Sequence, residues 1–235
     1  MKHLVTVISL FILSESFSQE LTEKEKQNIK QNIKNISIDS ALTKALYIIG
    51  SASFYEMKVG EQRDKDIKSI NIAFEILRLI EYKNLQNDNF YDVRATGLKI
   101  LKKYEPAILS YSKAIELNPK NVRYFKKRAE CKMAISNHYG AIPDYTNAIA
   151  LTPKDDSLFG NRAACYLVTE QWNNAMVDSN KAINLNSKVG YYFLVRGNIH
   201  AHYERKKEAC LDFSTAGDLG DERAFEFLRD YCSNK

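Results

Sequence analysis

Four stretches of the chain repeat one arrangement of small, aromatic and polar positions. YEPAILSYSKAIELNPKN (104–121), HYGAIPDYTNAIALTPKD (138–155), WNNAMVDSNKAINLNSKV (172–189) and KKEACLDFSTAGDLGDER (206–223) stand in register at a spacing of 34 residues without gaps. Each places an alanine, an aromatic or small residue four on, and a small residue three further: Ala107/Tyr111/Ala114, Ala141/Tyr145/Ala148, Ala175/Ser179/Ala182 and Ala209/Phe213/Ala216. Spacings of four and three share one face of a helix, so each stretch predicts a helix with a narrow packing stripe. About fifteen residues upstream of each lies a second helical face: Tyr91/Arg94/Ala95/Leu98, Phe125/Arg128/Ala129/Lys132, Phe159/Arg162/Ala163/Tyr166 and Phe193/Arg196/Gly197/His200. The unit is therefore a pair of helices, A then B. Pro119 and Pro153 close the first two units, where proline stops a helix, and Ser187 takes that place in the third.

Over residues 88–223 this pattern resembles the tetratricopeptide repeat (TPR) family, whose period is about 34 and whose signature runs aromatic, Leu-Gly, Tyr, then Ala, aromatic and Pro. The departures are arginine in the usual leucine position, Lys132 and His200 at the tyrosine position, and the missing third proline. The resemblance implies an all-α fold, a right-handed superhelical array of antiparallel helix pairs with helix A lining the concave side, because a two-helix unit cannot bury both its faces alone. Four clear repeats are expected at 88–121, 122–155, 156–189 and 190–221, closed by a capping helix within 222–235. The cap's inner face is expected to carry Ala224, Phe225, Leu228 and Tyr231, and the small residues Ala95, Ala129, Ala163 and Gly197 to let helix B pack close against helix A.

The N-terminal region, 19–87, is less regular. Leu21 to Asn35 is rich in lysine and asparagine and is expected to be a frayed helix or disordered. Counting back 34 from Ala107 reaches Ala73, with Leu77 and Ile80 at the next pattern positions. Asp66 to Tyr82 is thus expected as helix B of a degenerate repeat, and Ser40 to Met57 as its partner, together covering the open end of the array.

The first residues bear on compartment. Lys2 and His3, the apolar run Leu4–Leu13 and the small residues Ser16 and Ser18 read as a secretory signal peptide over 1–18, since the run is far short of the roughly 20 residues that span a bilayer. The alternative is a retained anchor. Export to the periplasm or medium of a bacterium is the expectation, and in that setting Asn35-Ile36-Ser37 is a chance match to a glycosylation acceptor. A net charge of +5 is too weak to imply nucleic acid, and no later stretch is apolar enough to span a membrane.

Arginine recurs at 94, 128, 162 and 196, and aspartate at 144, 178 and 212. These residues read either as an anion-binding ladder or as structural ion pairs, Arg128–Asp144, Arg162–Asp178 and Arg196–Asp212; the pairs are favoured, because both members lie where the two helices meet and a buried guanidinium needs a carboxylate. Repeat one has Ser110 in the aspartate's place. Cys131 and Cys165 sit one repeat apart and read as small buried hydrophobes, whereas Cys210 and Cys232 are expected to pair and staple the cap. His200 and His202 are two residues apart, which turns them to different sides of a helix, so they read as ordinary helix residues. Trp172 reads as packing at a helix start. No phosphate-cradling glycine loop and no nucleophile elbow occurs, and neither cofactor nor metal is implied.

One branch of the resembled family clamps the C-terminal carboxylate of cytosolic heat-shock chaperones. Lys126 and Asn161 match that clamp, but Glu130, Tyr191 and Val195 do not, and export separates the chain from such partners. The family's geometry instead implies a peptide-binding groove with Arg123, Lys126 and Lys127 at a cationic end and Tyr191, Leu194 and Val195 at an apolar end. Gly160, Asn161 and Ala164 are expected to leave room between them, and neither end to pack between helices. The reading is a non-enzymatic adaptor that holds a protein or peptide in the cell envelope; the alternatives are a self-assembling scaffold forming homo-oligomers, or an accessory subunit of an envelope enzyme.

Overall fold

The computed structural model describes residues 21–34, 36–54, 61–80 and 86–233. The signal-peptide reading and Asn35 fall outside them. Among the described residues there is no strand. The helices are α1 (Glu23–Ile33), α2 (Ile38–Phe54), α3 (Glu61–Ile80), α4 (Asp88–Ile100), α5 (Tyr104–Leu117), α6 (Val122–Ala134), α7 (His138–Leu151), α8 (Asp156–Val168), α9 (Trp172–Leu185), α10 (Gly190–His202), α11 (Lys206–Asp218) and α12 (Ala224–Phe227), followed by a π turn over Leu228–Cys232. They form two compact units, Met1–Tyr124 and Phe125–Lys235, the division falling just inside α6.

From Asp88 on, A helices start at 88, 122, 156 and 190 and B helices at 104, 138, 172 and 206, all 34 apart. One local device sets this pitch. The residues two past the end of each A helix, Lys102, Ser136, Glu170 and Glu204, take left-handed φ values of 56 to 59°. The next amide then donates back to the helix, as Lys103 to Leu98, Asn137 to Lys132, Gln171 to Tyr166 and Arg205 to His200. This closure satisfies the last carbonyls and turns the chain straight into helix B. The alanine stripes supply the packing: Ala107, Ala114, Ala141, Ala148, Ala175, Ala182, Ala209 and Ala216 are wholly buried, as are Tyr111, Tyr145 and Phe213 between them. Burying a side chain the size of Phe213 is worth about 2–3 kcal/mol. Its ring lies against Gly197, where a Cβ would come within 2.6 Å of it, so that glycine is fixed by close approach.

In the N-terminal unit, α2 buries Ala41, Leu42, Ala45 and Ile49, and α3 buries Ile70, Ala73, Phe74, Leu77 and Ile80. The pair covers α4: a Cβ on Gly97 would meet Phe74 and Ile49 at 3.0 and 3.1 Å. The segment expected to be frayed or disordered is instead a helix without a buried residue of its own. Its order comes from the buried Leu21 just before it and from polar contacts. Thr22 and Glu25 form a reciprocal capping box, and Glu25 pairs with Lys68 of α3 at 2.7 Å. Those contacts, the Lys68 hydrogen bond first, hold the Glu25 carboxyl down to about 2.

Left-handed backbone at a non-glycine residue costs roughly 1–2 kcal/mol. Glu170 is exposed and sits at such a position, so Glu170→Gly is expected to raise stability by about 1 kcal/mol in urea unfolding. A loss of stability would show that the side chain contributes more than its backbone strain.

Arginine ladder and candidate binding faces

The forks of the three ladder arginines in unit Phe125–Lys235 are filled. Nε and Nη2 of Arg162 donate to the two oxygens of Asp178 at 2.6 and 2.9 Å, and those of Arg196 to Asp212 at 2.8 and 2.7 Å. Arg128 grips Asp144 in the same way, and Lys132 adds a second cation to that carboxylate at 2.8 Å. The third nitrogen reaches further: Nη1 of Arg162 donates to Thr146 Oγ1 at 3.0 Å, and Nη1 of Arg196 to Asn180 Oδ1 at 2.9 Å. Both acceptors lie on helix B of the preceding repeat, so each of these side chains ties three helices. Each guanidinium also lies 5.5 to 6.0 Å from a phenylalanine ring one turn earlier, Phe125, Phe159 or Phe193. Burial opposes the charge of Arg162, but its hydrogen bonds and attraction to Asp178 outweigh that, and its pKa lies above the ordinary value. With the aspartates buried, the ladder is an internal brace whose carboxylates already occupy the place of an external anion.

A second polar register was missed by the sequence reading. Asp88 accepts from Asn118 and Tyr124 at 2.9 Å each, and Asp156 accepts from Asn186 at 3.1 Å and Tyr192 at 2.7 Å. Both triads have internal spacings of 30 and 36 residues and lie 68 apart, twice the repeat period, so comparing alternate repeats would have found them. Each clasps the start of a helix A to the next repeat.

The residues expected to form a groove divide. Arg123, in the N-terminal unit, is half-exposed and pairs with Asp92 at 3.1 Å. In the other unit, Lys126 donates to Ser157 Oγ at 2.7 Å and stands 3.8 Å from Asp155, while Lys127 pairs with Glu130 at 3.1 Å. Asn161 is half-buried on the following helix A. The apolar end is different from the expectation. Leu194 packs with Ala209, Phe213, Ala216 and Ala224 under the cap, and Val195 with Ala163, Ala175 and Ile199, so both belong to the core. The reason is positional: Leu194, at the fifth place of helix A, abuts the next unit along the chain, here the apolar cap, while Val195 at the sixth faces Ala163 and Ala175 of the repeat before. Gly160 leaves no room either, since the Tyr192 ring fills its place and a Cβ there would come within 2.2 Å. Tyr191 is half-buried against two core clusters, under the guanidinium of Arg223 at 5.1 Å, and burial pushes its hydroxyl up to about 12.

The exposed apolar side chains are on B helices. Leu109 in one unit, and Val177 and Leu211 in the other, are 56%, 67% and 68% exposed at one register, with the exposed Pro143 at the same register. Their spacing of 34 was readable in the sequence. On the cap, Phe225 is exposed and Phe227 takes the inner position expected for it, stacked on Phe213 at 4.8 Å.

Cys210 and Cys232 are joined by a disulfide, with Cα atoms 5.7 Å apart, and Cys131 and Cys165 are free and buried. His202 stacks on Trp172 at 3.7 Å. His200 occupies the register of Lys132 and stands 3.8 Å from Asp212. Among the described residues no group of three or more His, Cys, Asp or Glu side chains is placed to hold a metal, and no helix is long and apolar enough to cross a membrane.

No family model and no curated protein matches the sequence. Solved structures share the fold. The TPR protein YrrB, described as having an unusual peptide-binding site, superposes with a TM-score of 0.61 at 14% identity over 87% of this chain and 97% of its own. MamA from Desulfovibrio magneticus RS-1 gives 0.60 at 18% identity over 73% and 94%. TTC0263, a TPR protein of Thermus thermophilus, gives 0.52 at 13% identity over 77% and 96%. The all-α architecture of stacked antiparallel helix pairs is thus the TPR fold.

Removing one partner of a buried pair strands the other, so Asp178→Ala is expected to cost about 3 kcal/mol in urea melts, and a loss below about 0.5 kcal/mol would show the pair to be dispensable. A second expectation concerns pH. Burial, only partly offset by Asp212, lowers the pKa of His200, so the native state binds fewer protons at this site than the unfolded chain. Its contribution is fully present above the ordinary histidine value of 6.5 and is lost as pH falls below it. His200→Gln should therefore flatten the slope of stability between about pH 7 and pH 5.5; an unchanged slope would assign it to other groups.

Proposed function

We propose that this array of TPR-fold repeats is a non-enzymatic scaffold, exported to the bacterial envelope, that holds an acidic protein or peptide segment on its A helices. The observation that carries the reading is the contrast between two sets of charges. The ladder's aspartates are buried and their arginines are held by bidentate bonds. Lys126 and Lys127 are only half-buried, and their partners Asp155 and Glu130 are similarly placed. Pairs of that kind are worth at most about 1 kcal/mol, so an incoming carboxylate can replace the internal one without unfolding a repeat. The fold supports the same reading, as does the peptide-binding site described for YrrB. Export is supported by the segment 1–18 and by the Cys210–Cys232 pairing, which persists in oxidising compartments.

A second reading, self-association through the outer faces, has one observation in its favour: the exposed apolar residues Val177 and Leu211 recur in register. Light scattering over a concentration series separates the two.

The scaffold reading is tested on a partner captured from envelope extract. Lys126→Glu/Lys127→Glu should slow its association and reduce the salt dependence of binding, with helicity kept and stability lowered by no more than about 2 kcal/mol through the two weak pairs lost. If the double variant binds that partner as the parent does, the helix-A row is not the site.

A further inference from the structure

Thirty-four residues beyond α10 lies the cap: Gly190 corresponds to Ala224, Phe193 to Phe227, Leu194 to Leu228 and Asn198 to Cys232. The cap stands where helix A of a further repeat would begin. It covers the usual stripe, here Ala209, Phe213 and Ala216 of α11, with Phe227 stacked on Phe213 and Tyr231 edge-on to it at 6.5 Å. It is shorter than the inner A helices, and its attachment differs from that of α8 and α10. Where Arg196 ties α10 to helix B of the preceding repeat, the cap has Asp230, which pairs with its neighbour Arg229. The polar tie to α11 is replaced by the disulfide between Cys210 and Cys232.

What seats the cap is therefore ring packing, Lys206 of α11 over the Tyr231 ring at 5.8 Å, and one bond that thiolates can open and remake. The link that carries it bends at Gly220, whose φ of +88° suits glycine, and nothing stands within 4 Å of the place a Cβ would occupy. A cleft of about 600 Å³ lies beside that link, between Gly190, Tyr191, Asp221 and Arg223.

We propose that the cap is exchangeable between two copies of this chain: once the disulfide opens, 224–232 of one copy docks on α11 of the other, which gives its own cap in return. The occupant is set by the contacts, since the freed surface fits a helix bearing Ala224, Phe227, Leu228 and Tyr231, and a second copy supplies that helix. Docking within a chain and between chains makes the same contacts, so protein concentration decides between them. The surface is separate from the row of Lys126 and Lys127, and neither proposal rests on the other.

The chemistry is thiol–disulfide exchange. A glutathione thiolate attacks Sγ of Cys232, forming a mixed disulfide and releasing the Cys210 thiolate. Cys210 of the second copy then attacks that Cys232 sulfur, joining the chains and expelling glutathione thiolate unchanged. Two reciprocal events convert two intrachain disulfides into two interchain ones with no net oxidant. Cys131 and Cys165 are buried, and burial pushes the Cys165 thiol up to about 12, so they compete poorly.

The test mixes equal amounts of ¹⁵N-labelled and unlabelled full chain with catalytic reduced glutathione, quenches in acid, and reads non-reduced peptides by mass spectrometry. The expected result is a covalent dimer whose peptides containing Cys210 and Cys232 are joined as labelled–unlabelled hybrids, in a yield that rises with protein concentration. Linked Cys210 and Cys232 peptides that are all wholly labelled or wholly unlabelled, with no hybrids at any protein concentration, or hybrids joined only through Cys131 or Cys165, would overturn the proposal.

Discussion

The structure depends on a half-buried guanidinium that grips a buried aspartate sixteen residues later. Alanine stripes let two helices approach, but small side chains alone permit sliding and rotation. A bidentate fork does not, because both nitrogens must meet both oxygens in one plane. Its third nitrogen, reaching Thr146 or Asn180, fixes the preceding helix B at the same time. Desolvation sharpens the requirement: a repeat that slips leaves a charge without its partner in the core, a far larger penalty than the loss of a few methyl contacts. In the last two repeats one arginine thus fixes register both within the repeat and to the one before it.

Burial also separates the ladder from the outer charges. A charge pair is useful to a partner only if it can be given up, and the buried forks cannot be. Lys126 and Lys127 can, because water already reaches them and their internal pairs are weak. The exposed apolar side chains Val177 and Leu211 lie elsewhere, on the B helices.

Much of this was legible in the sequence, because a fixed 34-residue spacing carries both helix faces and the ladder at once. The resemblance to TPR proteins pointed to the right fold for the same reason. The groove was less legible. Place five of helix A is Lys126, Gly160 or Leu194, and whether it is open depends on what the next unit sets against it: Ser157, the ring of Tyr192 or the cap. That is information about a neighbour, absent from the repeat itself. The order of α1 was missed for a different reason: composition suggested fraying, while the capping box of Thr22 and Glu25 and the reach of Lys68 are specific contacts that composition averages away. The left-handed turns at Lys102, Ser136, Glu170 and Glu204 gave no signal because none is glycine.

The ladder is the claim on which the rest stands, and a double-mutant cycle on Arg162 and Asp178 measures it most directly. Arg162→Met and Asp178→Leu each leave one buried group unmatched, whereas together they leave none. The account predicts two strongly destabilised single variants, a double variant close to the parent, and a coupling of about 3 kcal/mol. Additive losses, with coupling below about 0.5 kcal/mol, would contradict it.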